Sequence, residues 1–567
     1  MYLKDKIIRT VSAMPPPRKK LFGLCLAVFL VGIFLLLWRA NQSWLVSVPT
    51  SGSQYVEGLV STPRFINPLL ASTAVERDLT TLVYSGLLRS NETGEFIPDL
   101  AESYTVSPDG LTYSFTLRPD LVWHDGEPVI TDDIIFTIAK AKDPAIRSPR
   151  RASWEGVEVE KIDNRHLVFK LKQPYALFLE NLTLGILPAH RWQKITTAGF
   201  SSTNLNLEPV GTGPYQISNI KRDSDNLPLI YTLTPFSHFT LGEPKIAEVI
   251  IRFYPNEEAL LSAYNRGEID AINAVDPLTA RILEKNGARV LATTLPRVFG
   301  IFFNQNQQKL FTRPEVRAAL DAAVDRQTLV TEVFSNYAKP LTGPLPLTLF
   351  SELTNNQATT SPNEILKRAG WQKNSNSGKW ELPSKKKGEE SLALRFTLTT
   401  SDTPELKRVA ELVKQNWEAL GVTVDLKIFE LGALNEVVIR PRDYEALLFG
   451  EIVGRNPDLY SFWHSAQRLD PGLNIALYTN TTVDKILDEL KVASTTDRRA
   501  SAYQAFDTEI RQDKPAVFLY APDFLYLVPR QVEGINLGII NTPAERFLSI
   551  YKWYIKTDRV WPIFVNN

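Results

Sequence analysis

Between Ser391 and Phe429 the sequence reads strand, helix, strand with almost nothing between the elements. "SLALRFTLTT" alternates Leu392, Leu394, Phe396 and Leu398, the period of a half-buried strand. "DTPELKRVAELVKQNWEALG" then sets Leu406, Val409, Ala410, Val413, Trp417 and Leu420 on one helical stripe, and Gly421 supplies a left-handed stop. "VTVDLKIFE" returns to alternation with Val422, Val424, Leu426 and Ile428. Two strands joined by a helix of this length pair in parallel through a right-handed crossover, so the chain is predicted to be α/β. Other stretches agree. "FTRPEVRAALDAAVDRQTLVTEVF" carries Thr312 and Glu315 at capping-box spacing with Pro314 in the first turn. "NEEALLSAYNRGEIDAI" predicts a helix capped by Asn256 and ended by Gly267, then a strand. "YTVSPDGLTYSFTLRPDL" predicts an antiparallel pair turning at "SPDG".

At 567 residues the chain exceeds one ordinary core, so two or three lobes are expected. Of its 63 basic and 63 acidic residues, seven and one fall in the first fifty positions, leaving a body with 56 basic against 62 acidic. A mildly acidic body with mixed signs is not a nucleic-acid footprint. Cys25 stands alone, so no intramolecular disulfide can form. "RKK" at 18–20 precedes the uncharged run Leu21 to Trp38, long enough to cross a hydrocarbon core of roughly 30 Å. It is read as an uncleaved anchor over 21–38, with residues 1–20 as a cytoplasmic basic segment and the body outside the cell membrane. A lipoprotein reading would acylate Cys25, but "FGL" before it lacks the small residues of such a cleavage site. Residues 39–54, polar and Ser-rich, are expected to be a tether.

"LRPDLVWHDGEPVITDDIIF" gathers a tryptophan, a histidine and several acids between 117 and 136. Asp-Gly and Glu-Pro mark a turn, Thr131 is expected to cap the next helix, and Asp132 and Asp133 suit its positive end. His124 has no second histidine at ligand spacing, so the stretch is read as scaffold, not as a metal or catalytic site. "DSDN" at 223–226 lacks the glycine and third ligand of a calcium loop and is read as a hairpin turn. "GTG" at 211–213 is read as a tight turn, since no helix pattern follows for a phosphate to sit on.

These stretches occur in a recognisable order. "FINPLL", "TTLVYSGLLRSNETGEFIPDLAESYTVSPDGLTYSFTLR", "LRPDLVWHDGEPVITDDIIF", "PVGTGPYQI", "YNRGEIDAI", "FFNQNQ", "RPEVRAALDAAVDRQTLV" and "LVKQNWEALGVTVDL" together resemble the extracellular solute-binding proteins of family 5. These are the oligopeptide, dipeptide and nickel receptors of ABC importers. The resemblance covers roughly residues 55 to 555.

The resemblance implies a two-lobed periplasmic-binding-protein-like (type II) fold with an additional α/β domain. Domain I would comprise 55–75, 208–295 and 528–567, domain II 76–207, and domain III 296–527. A peptide or other small-molecule solute would be clamped between lobes I and III, and the closed form would dock on permease subunits driven by their ATPases. The chain has no Gly-Lys-Ser/Thr phosphate loop, so it would be the receptor and not the motor. No cofactor, metal or catalytic residue is expected.

By the same resemblance, ligand-facing positions are Ser72, Thr73, Asn304, Glu451, Arg455, Asp458, Trp463, His464 and Tyr520. The aspartate that anchors a peptide's amino terminus in the family falls here on Val453, with Glu451 the nearest acid. In "DLYSFWHS" the aromatics Tyr460, Phe462 and Trp463 suit either stacking on a ligand or packing the lobe, and His464 suits a metal-chelate contact. Arg455 suits a ligand carboxylate or a solvated surface. The alternatives are a receptor for a metal chelate or sugar oligomer, an anchored hydrolase, and a sensory or chaperone-like module on the same fold. Against the hydrolase, the chain has no Gly-x-Ser-x-Gly, no His-Glu-x-x-His and no cysteine outside the anchor.

Overall fold

The computed structural model describes residues 13, 15–175, 177–346, 360–384, 390–492 and 496–561. The chain forms two compact units, one from residues 1–53 with 554–567 and one from 54–553.

In the smaller unit the apolar run is helical over Pro16–Trp44, longer than the span expected from sequence, and Pro16–Arg39 is long and apolar enough to cross a membrane. The expected tether is not a free linker. Val46–Thr50 is a strand paired antiparallel with Lys556–Val560, from Val46 opposite Val560 to Thr50 opposite Lys556. Val46 and Val48 make this segment strand-prone, and its partner lies at the other end of the chain, which is why local composition suggested a tether.

The larger unit is built on one continuous path of strands that divides into two sheets. The first runs Tyr215–Arg222, Pro228–Pro235, Glu248–Tyr254, Gln54–Val60 and Ala271–Asn273. The second runs Thr423–Phe429, Arg395–Ser401, Ala446–Ile452 and Arg297–Phe303. Ala516–Val528 joins them. Its residues 516–520 pair with Arg297–Phe303 and 520–522 with Ala338–Pro340, whereas 523–528 pair with Arg289–Thr294. A second crossing, Leu295–Pro296, connects Arg289–Thr294 directly to Arg297–Phe303. Pro522 sits where the bridging strand changes partners, a position suited to a residue that has no N–H for a ladder. A separate antiparallel sheet of Ala101–Val106, Thr112–Leu117, His166–Leu171 and Val157–Lys161 forms the additional domain.

The βαβ unit is as expected. Arg395–Ser401 pairs in parallel with Thr423–Phe429, and the helix Pro404–Leu420 ends at Gly421 with φ +110°. Its buried residues are Leu406, Val409, Ala410, Val413, Trp417 and Leu420, packed against Phe396 and Leu398. Fully burying each large side chain contributes about 1.5–3 kcal/mol. Trp417 adds a hydrogen bond from Nε1 to the Leu320 carbonyl, 2.9 Å. Asn256 caps Glu257–Asn265 as expected, accepting from Ala259 N at 2.9 Å. Two expected caps are displaced. Pro314–Ala322 starts after Arg313, and Thr312 instead donates to Lys309 O at 2.8 Å. Thr131 is the first residue of its helix and donates to Asp163 O, while Asp133 accepts from Ile130 N at 3.0 Å.

Candidate functional site

His124 is held by the glycine turn it faces. Its Nδ1 accepts from Gly211 N at 3.3 Å, its Nε2 lies 3.1 Å from Gly213 O, and its ring meets Phe236 edge-on with centroids 4.7 Å apart. That pairing fixes a neutral ring with the proton on Nε2. Burial agrees, pushing the imidazole down to about 4 against the weaker opposing pull of Gly213 O and Asp125. Asp125 pairs with His190 at 3.0 Å. The glycines are required by proximity: a Cβ on Gly211 would lie 1.9 Å from Val83 O, and Gly213 N donates to that same carbonyl at 2.8 Å. The stretch is scaffold that locks the turn onto the end of the helix Ala74–Val83. Among the described residues no group of three or more His, Cys, Asp and Glu could hold a metal ion.

The other candidates separate into those near the strand crossings and those deep in a core. The segment after Ala446–Ile452 crosses toward the first sheet's side. Val453 N and Gly454 N donate to Pro296 O at 3.0 and 3.1 Å, and Arg455 N donates to Asn541 Oδ1 at 2.7 Å. The Arg455 side chain, 5% exposed, is ion-paired with Glu545, and its guanidinium lies 6.0 Å from the Phe96 ring centroid. Asn541 extends the network, donating from Nδ2 to Glu180 Oε1 at 2.8 Å and from N to Glu545 Oε2 at 3.0 Å. Burial raises the carboxyls of Glu180 and Glu545, and Arg455 pulls both back. Arg455 is therefore neither solvated nor free for a ligand. Asp458 is exposed beside this network and accepts from Ser461 at 2.7 Å.

Ser72 and Thr73 are exposed at the start of Ala74–Val83, but their polar groups are committed to its cap. Glu76 Oε2 accepts from Ser72 N and Thr73 N at 2.9 and 3.0 Å, so the chain's own carboxylate fills that helix end. Below it, Arg546 is wholly buried between Asp78 and Glu57, at 2.8 and 2.5 Å, and Tyr526 of the bridging strand donates to Glu57 at 2.7 Å. This network ties the helix to Gln54–Val60 and to the bridging strand.

The remaining candidates are taken up by core packing or by bracing loops. Asn304 lies past the far end of Arg297–Phe303 and braces a loop, donating to Arg442 O at 2.9 Å. Tyr520 is buried against Phe299 and Phe334, with centroids 4.8 and 4.4 Å away. Trp463 is 1% exposed in a core with Phe302, Tyr478, Phe506 and Phe518, so it packs the lobe. His464 stacks on Tyr460 at 4.3 Å and accepts from Ala466 N at 3.0 Å, which leaves its Nδ1 unavailable to a chelate. Glu451 points to the Val298 face of the second sheet, 4% exposed, and burial alone raises its carboxyl well above the usual range. Residues that the sequence did not single out, Glu180, Asn541 and Glu545, hold the network together. They lie far apart in the chain, and no local pattern marks them.

Two sheets sharing one strand, a separate antiparallel domain, and polar side chains gathered where the sheets cross define the architecture of a two-lobed binding protein. Residues 95–473 match the family model described as bacterial extracellular solute-binding proteins, family 5. The chain belongs to that family. It is 26% identical over 523 residues to the oligopeptide-binding protein AppA of Bacillus subtilis, covering 89% of this chain and 92% of that protein. The structure of B. subtilis AppA in complex with a nonapeptide shares the fold with a TM-score of 0.66 at 24% identity, covering 90% of this chain and all of that one. The ABC transporter substrate-binding protein CtaP of Listeria monocytogenes matches with a TM-score of 0.75 at 25% identity, over 89% of this chain and 100% of that one.

Proposed function

We propose that the chain is a membrane-anchored extracytoplasmic receptor of an ABC importer. It captures a peptide-like solute between its two lobes and delivers it to permease subunits driven by their ATPases. The observation that carries the reading is the bridging strand Ala516–Val528, paired with both sheets, in a chain that aligns along its length with an oligopeptide-binding protein. Such a strand lets two lobes swing about one line while each keeps its own core. The helix Pro16–Trp44 would be the single-pass anchor, with the basic residues before it on the cytoplasmic side.

The strand pairing supports lobe boundaries at Leu295–Pro296 and at Pro522–Asp523, the second a few residues before the position suggested by the family resemblance. Lobe I would contain the first sheet, domain II residues 76–207, and domain III the second sheet with its helices. Val453 in place of an amine-anchoring aspartate favours a solute held along its backbone and side groups over one gripped by its amino terminus.

Native mass spectrometry of the full chain released from detergent micelles tests the reading. A retained, heterogeneous set of peptides is the expected result. A single bound chelate or sugar would redirect the assignment, and turnover of an added oligomer would replace it with a hydrolase.

A further inference from the structure

Three arginines from three separate segments lie near the strand crossing, and the described residues supply none of them with a partner. Arg77 is exposed on the helix Ala74–Val83. Arg150 stands on a loop that Ser148 ties back toward the start of that helix, donating from Oγ to Leu69 O at 2.6 Å. Arg297 opens the second lobe's strand opposite Ile452, one residue after the crossing. Among the described residues, none of the three guanidinium groups makes a hydrogen bond or an ion pair, and the Arg297 Nε is shut away from solvent without an acceptor.

These groups act on one another. Burial lowers the basicity of Arg150 and Arg297, and the neighbouring Arg77 charge lowers both further. The acids acting on Arg150 are Glu180 and Glu545, of which Glu545 is already ion-paired with Arg455 and Glu180 accepts from Asn541. Arg150 therefore shares two carboxyls that already serve Arg455, and burial biases both toward protonation. Gathering like charges beside one another is unfavourable unless a counter-charge arrives. Planar, forked donors suit a carboxylate.

We propose that Arg77, Arg150 and Arg297 form the anion-holding part of the cleft, and that the solute is a peptide-like molecule bearing carboxylate side groups. This rests on the receptor reading above and names the solute class for the same cleft. Arg297 comes from domain III and Arg77 and Arg150 from domain II, so a carboxylate lying between them draws the two domains together, and closure and charge selection become one event.

The test is isothermal titration calorimetry on the full chain in detergent micelles with three tetrapeptides of equal length, Ala-Ala-Ala-Ala, Ala-Glu-Glu-Ala and Ala-Lys-Lys-Ala, and with tricarballylate. The Glu peptide is expected to bind at least tenfold more tightly than the Lys peptide. Arg297→Gln is expected to remove most of that ratio, and Arg297→Lys to keep part of it. Arg150→Gln, on an exposed loop, provides a second variant if the first folds poorly. Equal affinity for Glu and Lys peptides, or an undiminished ratio in both Gln variants, overturns the proposal. If no peptide binds but tricarballylate binds and is lost in Arg297→Gln, the arginine site stands and the peptide reading falls. If tricarballylate fails as well, both fall.

Discussion

Arg455 and Glu545, ninety positions apart in the chain, form a buried ion pair between the segment that leaves the second sheet and the turn that packs beside the helix Ala74–Val83. Both partners are largely withdrawn from water, and Asn541 and Phe96 complete their surroundings. Such a pair discourages the loss of one member, because the other is then left charged and dry.

Replacing Arg455 with Leu is therefore expected to favour separation of the lobes, which rehydrates Glu545. Breaking a buried pair costs about 3–5 kcal/mol, more than enough to move a lobe equilibrium. Spin labels at Leu278→Cys and Val437→Cys, both exposed, report the separation once Cys25 is replaced with Ser. A longer mean distance in Arg455→Leu, partly restored in the Arg455→Leu/Glu545→Leu pair, is the expected outcome. An unchanged distribution would show that the pair does not hold the lobes.

His124 makes stability depend on pH. Its folded value of about 4 lies below the ordinary imidazole value of 6.5, so the unfolded chain binds the proton first. Stability is complete above pH 6.5 and falls as pH drops toward 4, by at most about 3 kcal/mol. His124→Gln is expected to unfold at a lower temperature at pH 7 and to lose less than the parent chain between pH 7 and pH 5, measured by thermal melts. Equal losses in the two proteins would remove His124 from the account.

Gly211→Ala is expected to destabilise the chain by about 2–4 kcal/mol, because its Cβ would overlap the Val83 carbonyl and neither backbone can give way cheaply. Thr212→Val provides a contrast in the same turn. Among the described residues its hydroxyl is buried without a partner, so removing it should be neutral or slightly stabilising. Denaturant midpoints that fell equally for both variants would contradict the close-approach argument.

Glu451 separates an anchor from a burial cost. Its carboxyl is raised by burial, so the folded state favours the neutral acid and its contribution is lost as pH rises above the unfolded value near 4.5. Glu451→Gln should raise the melting temperature at pH 8 and leave peptide affinity within about threefold, since no solute amine depends on it. A tenfold weaker affinity would make Glu451 the amine anchor after all.

The parts of the fold visible in the sequence are those set by local period. The stripe from Leu406 to Leu420 and the stop at Gly421 need only neighbours a few residues away, and the structure reproduces them residue for residue. Caps were visible to within a residue, because Thr312 and Thr131 each found a carbonyl acceptor instead of the helix end. The bridging strand was hidden by Pro522, which reads as a break until its two sets of partners are seen. At the crossings, the segment containing Glu451, Arg455 and Asp458 was identified from family resemblance. Trp463 and Tyr520 show why aromatic residues are ambiguous: burial in a core and stacking on a ligand call for the same side chains. Arg77, Arg150 and Arg297 carry no mutual spacing signal, since only tertiary folding brings them together.

The shared strand also sets the geometry of any stroke. With a length of about 20 Å from Ala516 to Pro522, a rotation of roughly 20° at the proline carries the far end through about 7 Å, while every rung on either side stays in register. A stroke of that kind would make the strand a lever on a fixed fulcrum, admitting guests of different girth without remaking a backbone bond in either arm.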